Sequence, residues 1–445
     1  VTFSLGRIPA WLRNRRPVTL VVLGYSFYIL IGFLLLCLPF AHAKAGLSLL
    51  DHLFTATSAV STTGLITISP SGSYSFFGEL VILGLIQLGG IGYMTLGSFV
   101  MLAVRHRLDD MHQGVARTAF VLPRDMNIGG FIRGVVIFTF VVESVGALLL
   151  FWLFSRADTP DAFWNGVFHA VSAFCTAGFS LFDTSLENYS DNLGVNLVVA
   201  ALSYLGAIGF IVMSDWWQWA KHRRAPSLTS RIILRVTFWL ALLGTVAIAL
   251  TDPALAERTI GDRVLASFFQ VMTAMTTVGF DTVPIGNMGS ASILLLIVAM
   301  VMGASPSGTG GGIKSTSVAI FYGAVRAALA GRDRIQLLGQ AISETRIHMA
   351  MAAFGMYMGT LVVGSTALML VEQQDLVTLL FESVSAIGTV GLSLGATSQL
   401  GTAGKWIVIA MMFAGRLGPI TIGVAVFPVP SESEDFRRAP ADLAV

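Results

Sequence analysis

Charge is scarce in this chain. Asp, Glu, Lys and Arg make up 12% of its 445 residues, about half the share of a soluble globular domain. That scarcity excludes a water-solvated surface, and the 55% of hydrophobic residues with a mean hydropathy of +0.77 leaves a polytopic membrane protein. Cysteine is scarcer still. Cys37 and Cys175 stand in apolar surroundings and read as small core residues, not as a disulfide or a thiolate metal site. Histidine is sparse and scattered, and H-E-x-x-H does not occur. No metal or nucleophile constellation assembles, so the chain is not read as an enzyme and no organic cofactor is expected. The net charge of +2 gives no footing for a nucleic-acid partner; its placement along the chain is more informative.

What the chain has instead is a short string written four times. Counted back from Gly64, the residues are Thr62, Ala59, Ser58 and Phe54. The same offsets from Gly178 give Thr176, Ala173, Ser172 and Phe168; from Gly279, Thr277, Ala274, Thr273 and Phe269; from Gly391, Thr389, Ala386, Ser385 and Phe381. The shared pattern is F-x-x-x-[ST]-A-x-x-T-x-G-[LF], closed by Leu65, Phe179, Phe280 and Leu392. The copies lie roughly a hundred residues apart, the mark of an internal repeat.

Around each string the hydropathy follows one plan: a long span, a short half-span, the string, a second long span. Asp51–Val60 is too short for a bilayer core of about 30 Å, whereas the run from Phe76 to Val104 can cross it. The second unit uses Phe131–Phe154, Ala162–Phe174 and Leu193–Ala220. The third uses Ile232–Leu250, Val264–Met275 and a span from Ile293; the fourth uses Met349–Val371, Leu376–Ile387 and Trp406–Val426. The expected fold is all-α, with eight transmembrane helices in four span–pore-helix–span repeats set pseudo-four-fold around one central pore. Repeat 1 covers 1–104, a linker 105–128, repeat 2 129–220, repeat 3 221–330, repeat 4 331–430 and a tail 431–445.

Basic residues orient this plan. Arg105, Arg107, Arg117, Arg124 and Arg133 follow the first unit, Lys221, Arg223, Arg224, Arg231 and Arg235 the second, and Arg326, Arg332, Arg334 and Arg346 the third. The segments bearing the half-spans hold only Lys44, Arg156, Arg258, Arg263 and Lys405. Both termini are therefore expected in the cytoplasm, with all four strings entering from outside.

A half-helix that enters and turns back leaves irregular backbone at membrane depth, tolerated only where protein or water meets it. Four such tips around an axis offer rings of carbonyl oxygens that can replace the water shell of a cation. The helix C-termini add partial negative charge, and glycine lets a carbonyl turn inward. The candidate ion-binding tips are Ser61, Thr62, Thr63 and Gly64; Cys175, Thr176, Ala177 and Gly178; Thr276, Thr277, Val278 and Gly279; and Gly388, Thr389, Val390 and Gly391. None of these carries a carboxylate, which points away from a calcium-type filter and toward a monovalent cation. Small-residue helix packing explains one such string well, but four copies, each ending a half-span on one side, poorly. Asp51, Asp161, Asp262 and Asp375 stand near the half-span starts, where they read either as caps or as ordinary surface acids.

The second span of repeat 3 is interrupted by Gly303-Ala-Ser-Pro-Ser-Gly-Thr-Gly-Gly-Gly-Ile-Lys314. Five glycines, each costing about 1 kcal/mol in a helix interior, together with Ser305, Ser307 and Thr309, predict a polar break in the pore wall. Gly303, Gly308, Gly310, Gly311, Gly312 and Lys314 complete the candidate gate. A phosphate-binding P-loop is not met, because Ile313 separates Gly312 from Lys314 and the flanks are apolar spans.

With its four-fold plan, one glycine per string, the loop 303–314 and Gly415-Arg-Leu-Gly-Pro419, nearly the whole chain resembles the KtrB/TrkH/HKT superfamily of potassium-translocating subunits. It looks more like KtrB than TrkH, since it starts directly at the first span. The resemblance implies K+ as transported ion, possible Na+ activation, a homodimer in the bacterial inner membrane and a cytosolic KtrA/TrkA-like ring of nucleotide-binding regulatory subunits. Some family members with Ser at the first filter glycine prefer Na+; Gly64 here favours K+. Pro306 departs from the small polar residue expected in the loop.

Arg416, within an apolar run, has two readings: a cationic barrier projecting into the pore, or a structural arginine tied to backbone carbonyls or Glu382. Lys314 is read as contacting the loop or a neighbouring subunit. Glu143 reads as polar glue between helices or as part of an ion path. Thr55, His169, Gln270 and Glu382 each follow the string's Phe and are expected to hold the tips from behind. Gly89-Gly-Ile-Gly92, Gly206-Ala-Ile-Gly209 and Gly415-Arg-Leu-Gly418 share G-x-[IL]-G, a close-packing pattern. An alternating-access transporter would show broken helices and several midplane ionisable residues. The competing reading kept open is a Na+-coupled or weakly selective monovalent-cation transporter.

Overall fold

The computed structural model describes residues 17–105 and 128–418, apart from Arg224 and Ser307. Most of the expected linker 105–128, the tail 431–445 and Pro419 lie outside the described residues. Among these residues the fold is helical, with one two-stranded hairpin. In chain order, α1 is Pro17–Leu36, α2 Leu49–Val60, α3 Phe76–Arg105, α4 Ile128–Arg156, α5 Ala162–Phe174, α6 Leu193–Ile208 and α7 Phe210–His222. There follow α8 Leu228–Thr251, α9 Ile260–Thr276, α10 Ser290–Val301, α11 Ser315–Leu329, α12 Glu344–Val371, α13 Leu376–Gly388 and α14 Thr402–Leu417. Between α11 and α12, Gln336–Leu337 pairs antiparallel with Gln340–Ala341. Positive φ at Leu338 and Gly339 gives the two-residue turn that matches strand twist.

Length separates two kinds of helix. Arg133–Arg156 within α4, α8 and α12 are each long and apolar enough to cross a membrane, and α6 with α7 passes only as a pair bent by 96°. The half-helices α2, α5, α9 and α13 run 12, 13, 17 and 13 residues. Local chemistry starts three of them. The Ser48 hydroxyl accepts from Asp51 N–H and donates to its carboxylate, Thr259 and Asp262 repeat that reciprocal box, and the Asp375 carboxylate accepts from Thr378 N–H. Asp161 departs from the capping reading: it sits at φ 47° and its side chain caps nothing.

Two buried clusters interlock. One gathers α1 to α6, the other α8 to α14. Phe54 and Leu65 of the first half pack into the second cluster, and Phe269 and Phe280 of the second half into the first. The apolar ends of the first and third strings therefore tie their tips to the opposite half, whereas Phe168, Phe179, Phe381 and Leu392 pack within their own. At the chain's extremes, Lys405 Nζ lies 2.6 Å from Asp51 Oδ1, joining the start of α14 to the start of α2.

The second span of repeat 2, expected to run unbroken over Leu193–Ala220, stops at Gly209 with φ 83° and ψ 167° and resumes as α7. The second span of repeat 3 breaks where its glycines lie, between α10 and α11.

Candidate functional site

The four half-helices end in the same way. Thr62, Thr176, Thr277 and Thr389 take the left-handed conformation, with φ of 50°, 51°, 57° and 48°. A non-glycine residue there costs about 1–2 kcal/mol, and the offset is visible in the backbone. Thr62 N–H donates to Ala59 O at 3.1 Å and Thr63 N–H to Ser58 O at 2.9 Å, the paired bonds of a Schellman terminus. The other three tips repeat both bonds, from Thr176 and Ala177, Thr277 and Val278, Thr389 and Val390. The string's Ser/Thr and Ala thus supply the carbonyls that close the helix. Ser58 and Ser385 also accept from Gly64 N–H at 3.1 Å and Gly391 N–H at 3.0 Å through their hydroxyls.

Two residues beyond each threonine stands the glycine, again at positive φ. The four tips touch in a closed cycle. A Cβ on Gly64 would lie 2.3 Å from Ala177 O, on Gly178 2.1 Å from Val278 O, on Gly279 2.2 Å from Val390 O, and on Gly391 2.3 Å from Thr63 O. No side chain fits at any of them without moving a neighbouring carbonyl. The structure therefore brings all four tip tetrads together in one place. The threonines, Ser61, Thr63, Thr276, Cys175, Ala177, Val278 and Val390 are buried there.

Behind the cycle, the residue after the string's Phe ties the outgoing segment in three of the four half-helices, with very different strength. Glu382 accepts from Ser393 Oγ at 2.6 Å, Leu394 N–H at 3.0 Å, Ala396 N–H at 3.3 Å and Thr397 Oγ at 2.5 Å. His169 bonds Asn165 O at 2.8 Å and Ser180 Oγ at 2.9 Å. With its amide turned, Gln270 accepts from Val283 and Thr282 N–H at 3.0 and 3.1 Å. Glu143 accepts from Gln87 Nε2 at 2.9 Å, and the Cys175 thiol lies 3.7 Å from its other oxygen. It thus joins α3, α4 and the tip after α5.

The loop 303–314 lies directly against the threonines. Thr309 Oγ is 3.1 Å from Thr176 Oγ, and Gly311 N–H donates to Thr277 Oγ at 3.0 Å. A Cβ on Gly311 would meet Thr389 Oγ at 2.2 Å, so glycine is what allows the loop to seat. Lys314 Nζ donates to Gly310 O at 2.8 Å. Its contact is with the loop, as one of its two readings had it. Arg416, 3% exposed, donates to Thr309 O, to Gly89 O at 2.7 Å and to Tyr25 Oη at 3.0 Å. The structure therefore gives it carbonyl partners and leaves Glu382 to other donors. Ser307 lies outside the described residues.

Two participants escaped the sequence reading. Tyr25, its hydroxyl 3.1 Å from Val60 O and 3.2 Å from Gly89 O, is one of two phenols in an apolar span, beside Tyr28; the only available signal was its polar tip. The second is the end of α6. Thr309 N–H, Ser305 N–H and the Ser305 hydroxyl donate to Gly206 O, Ala207 O and Ile208 O. These are last-turn carbonyls that a helix leaves without intrahelical partners.

A family profile described as TrkH, cation transport protein, matches residues 29–435. Among curated relatives, the Ktr system potassium uptake protein B of Bacillus subtilis is 33% identical over 451 residues, covering 99% of this chain and 98% of that protein. The potassium/sodium uptake protein NtpJ of Enterococcus hirae is 30% identical over 436 residues, covering 96% of each. The crystal structure of the potassium transporter TrkH from Vibrio parahaemolyticus shares the fold, with a TM-score of 0.75 at 20% identity over 96% of this chain and 87% of that one.

Proposed function

This chain belongs to the TrkH family of cation transport proteins, and on that premise we propose that it is the ion-translocating membrane subunit of a K+ uptake system. The observation that carries this reading is the closed cycle from Gly64 through Ala177, Gly178, Val278, Gly279, Val390, Gly391 and Thr63. A ring of backbone carbonyls without carboxylates suits a monovalent cation that sheds its water. The Ktr system relative of Bacillus subtilis, named for potassium uptake, supports K+ as that ion.

In this reading four span–pore-helix–span repeats, eight spans in all, surround one pore in a bacterial inner membrane, with both termini in the cytoplasm. K+ enters from outside and is coordinated by carbonyls of residues 61–64, 175–178, 276–279 and 388–391, at the negative ends of four helix dipoles. Below the threonines the seated loop blocks its exit. Arg416 and Lys314 latch the loop through bonds to Thr309 O and Gly310 O, and charge-assisted bonds of this kind contribute about 1.5–3 kcal/mol each. The positive charge of Arg416 beneath the ring also repels an idle cation. Uptake requires the latch to release, and a cytosolic nucleotide-binding ring acting on a homodimer supplies that control. Na+ serves as an activator.

The second reading, a weakly selective or Na+-coupled pathway, draws on the relative named for both potassium and sodium uptake. Flux of K+, Rb+ and Na+ in proteoliposomes, with Gly64→Ser in parallel, decides between them. K+ and Rb+ flux well above Na+ is the expected result, with both lower flux and narrower discrimination in the substituted chain, whose new Cβ would press on Ala177 O. Equal K+ and Na+ flux through the unsubstituted chain overturns the K+ reading in favour of the second.

A further inference from the structure

Helix α7 leaves the bundle at a right angle. It follows α6 through Gly209 with a bend of 96°; with α6 as the crossing part of repeat 2 in the function proposed above, a helix perpendicular to it lies along the membrane plane. Its first turn is buried through Val212. Its middle is pinned: the Asp215 carboxylate accepts from Ser227 N–H at 3.0 Å and Ser230 Oγ at 2.6 Å at the start of α8. Beyond that pin the helix is open. Trp216, Trp217 and Trp219 are 63%, 70% and 42% exposed, and Lys221, His222 and Arg223 are exposed after them. The Arg223 guanidinium stands 5.7 Å from the Trp219 ring centre. Three exposed indoles on a water-facing helix are a liability, but at the headgroup level of a bilayer they are at home. Cationic side chains beside them complement an anionic leaflet.

The other end of this element touches the candidate gate. Gly206 O, Ala207 O and Ile208 O, immediately before the elbow, receive Thr309 N–H, Ser305 N–H and Ser305 Oγ from the seated loop. The direction of α7 and the placing of those carbonyls both depend on the backbone at Gly209.

We propose that α7 is a docking site for anionic phospholipid headgroups of the cytoplasmic leaflet, seated by Trp216, Trp217 and Trp219 and held by Lys221 and Arg223, and that its anchorage favours the seated loop. A ligand that binds one arrangement of the elbow better shifts the population toward it. The proposal takes its sidedness and its gate from the function proposed above, but headgroup binding is measured without ion flux and fails separately.

The test uses the full chain. Native mass spectrometry compares retention of phosphatidylglycerol and phosphatidylcholine by the unsubstituted protein, by Lys221→Gln/Arg223→Gln and by Trp216→Ala/Trp217→Ala. Preferential phosphatidylglycerol binding, weakened about 30-fold by the double glutamine variant, is expected from two cationic contacts. Equal retention of the two lipids, or a preference the glutamines leave intact, overturns it. Loss of a dimer in the double alanine variant with lipid preference unchanged also overturns it and assigns the face to a second copy of the chain. For the coupling, Rb+ flux is compared in vesicles of phosphatidylcholine alone and with 30% phosphatidylglycerol. Slower flux with phosphatidylglycerol, restored by the glutamine variant, is expected; flux indifferent to the lipid overturns the coupling.

Discussion

The tip cycle and the loop beneath it are both glycine-rich, and they are held in opposite ways. Each tip closes its own helix with two backbone bonds, and each glycine abuts the next tip's carbonyl. Moving one tip disturbs all four. The loop hangs on side chains from elsewhere, Arg416 and the threonines above it, and on its own Lys314 folding back to Gly310 O. The Ser305 and Thr309 amides and the Ser305 hydroxyl go to the last turn of α6, whereas the Ala304 and Gly308 amides bond within the loop. Interactions that can be exchanged for water one at a time suit a part that moves; interlocked backbone suits a part that must hold carbonyl spacing.

The sharpest way to break this contrast is Gly178→Ala. The new methyl would lie 2.1 Å from Val278 O, so Rb+ uptake is expected to fall by at least about 100-fold, the effect of ~2.7 kcal/mol. Near-normal uptake would show a pliable cycle. Glu382→Ala comes next. It leaves Ser393, Leu394, Ala396 and Thr397 without their shared acceptor, at a cost of several kcal/mol. Thermal unfolding in detergent should drop by several degrees, and K+/Na+ discrimination should narrow. The equivalent substitution Thr55→Ala should do much less.

On the loop side the sign reverses. Arg416→Gln removes the charge-assisted bond to Thr309 O and should raise flux by about 10-fold, the effect of ~1.4 kcal/mol, with selectivity kept. Unchanged flux would take Arg416 out of the latch.

The smallest effect lies at the start of α13, at the far end of that helix from its tip. Hydrogen bonds from the Thr378 hydroxyl and amide hold the Asp375 carboxyl below its ordinary range. A lowered native value means that its contribution to stability is complete above the unfolded carboxylate value, about pH 4, and is lost as pH falls through the lowered one. A modest acid-side loss of thermal stability is expected. Asp375→Asn, which caps without titrating, should flatten it.

Much of this was legible because the repeated information is local. A helix terminus with Thr in the left-handed position needs Ser/Thr and Ala carbonyls at fixed offsets, so the tips recur as one readable string. The five glycines of 303–314 marked a break for the same reason. The elbow at Gly209 was not legible. Gly89-Gly-Ile-Gly92 and Gly206-Ala-Ile-Gly209 follow the same pattern, yet α3 runs on to Arg105 whereas α6 stops. The difference is that Ser305 and Thr309, about a hundred residues away, supply donors to the carbonyls that the stop exposes.

The sequence by itself determined the membrane class, the four strings and the interrupted span, since hydropathy and helix-end chemistry act over a dozen residues. Only the tertiary structure decided which carbonyls Arg416 takes, that Glu143 meets the Cys175 thiol, that Glu382 carries four bonds where its counterparts carry fewer, and where α6 ends. Each depends on a partner from another repeat or from a returning segment, and in a low-dielectric interior the available partner determines what a buried polar group does.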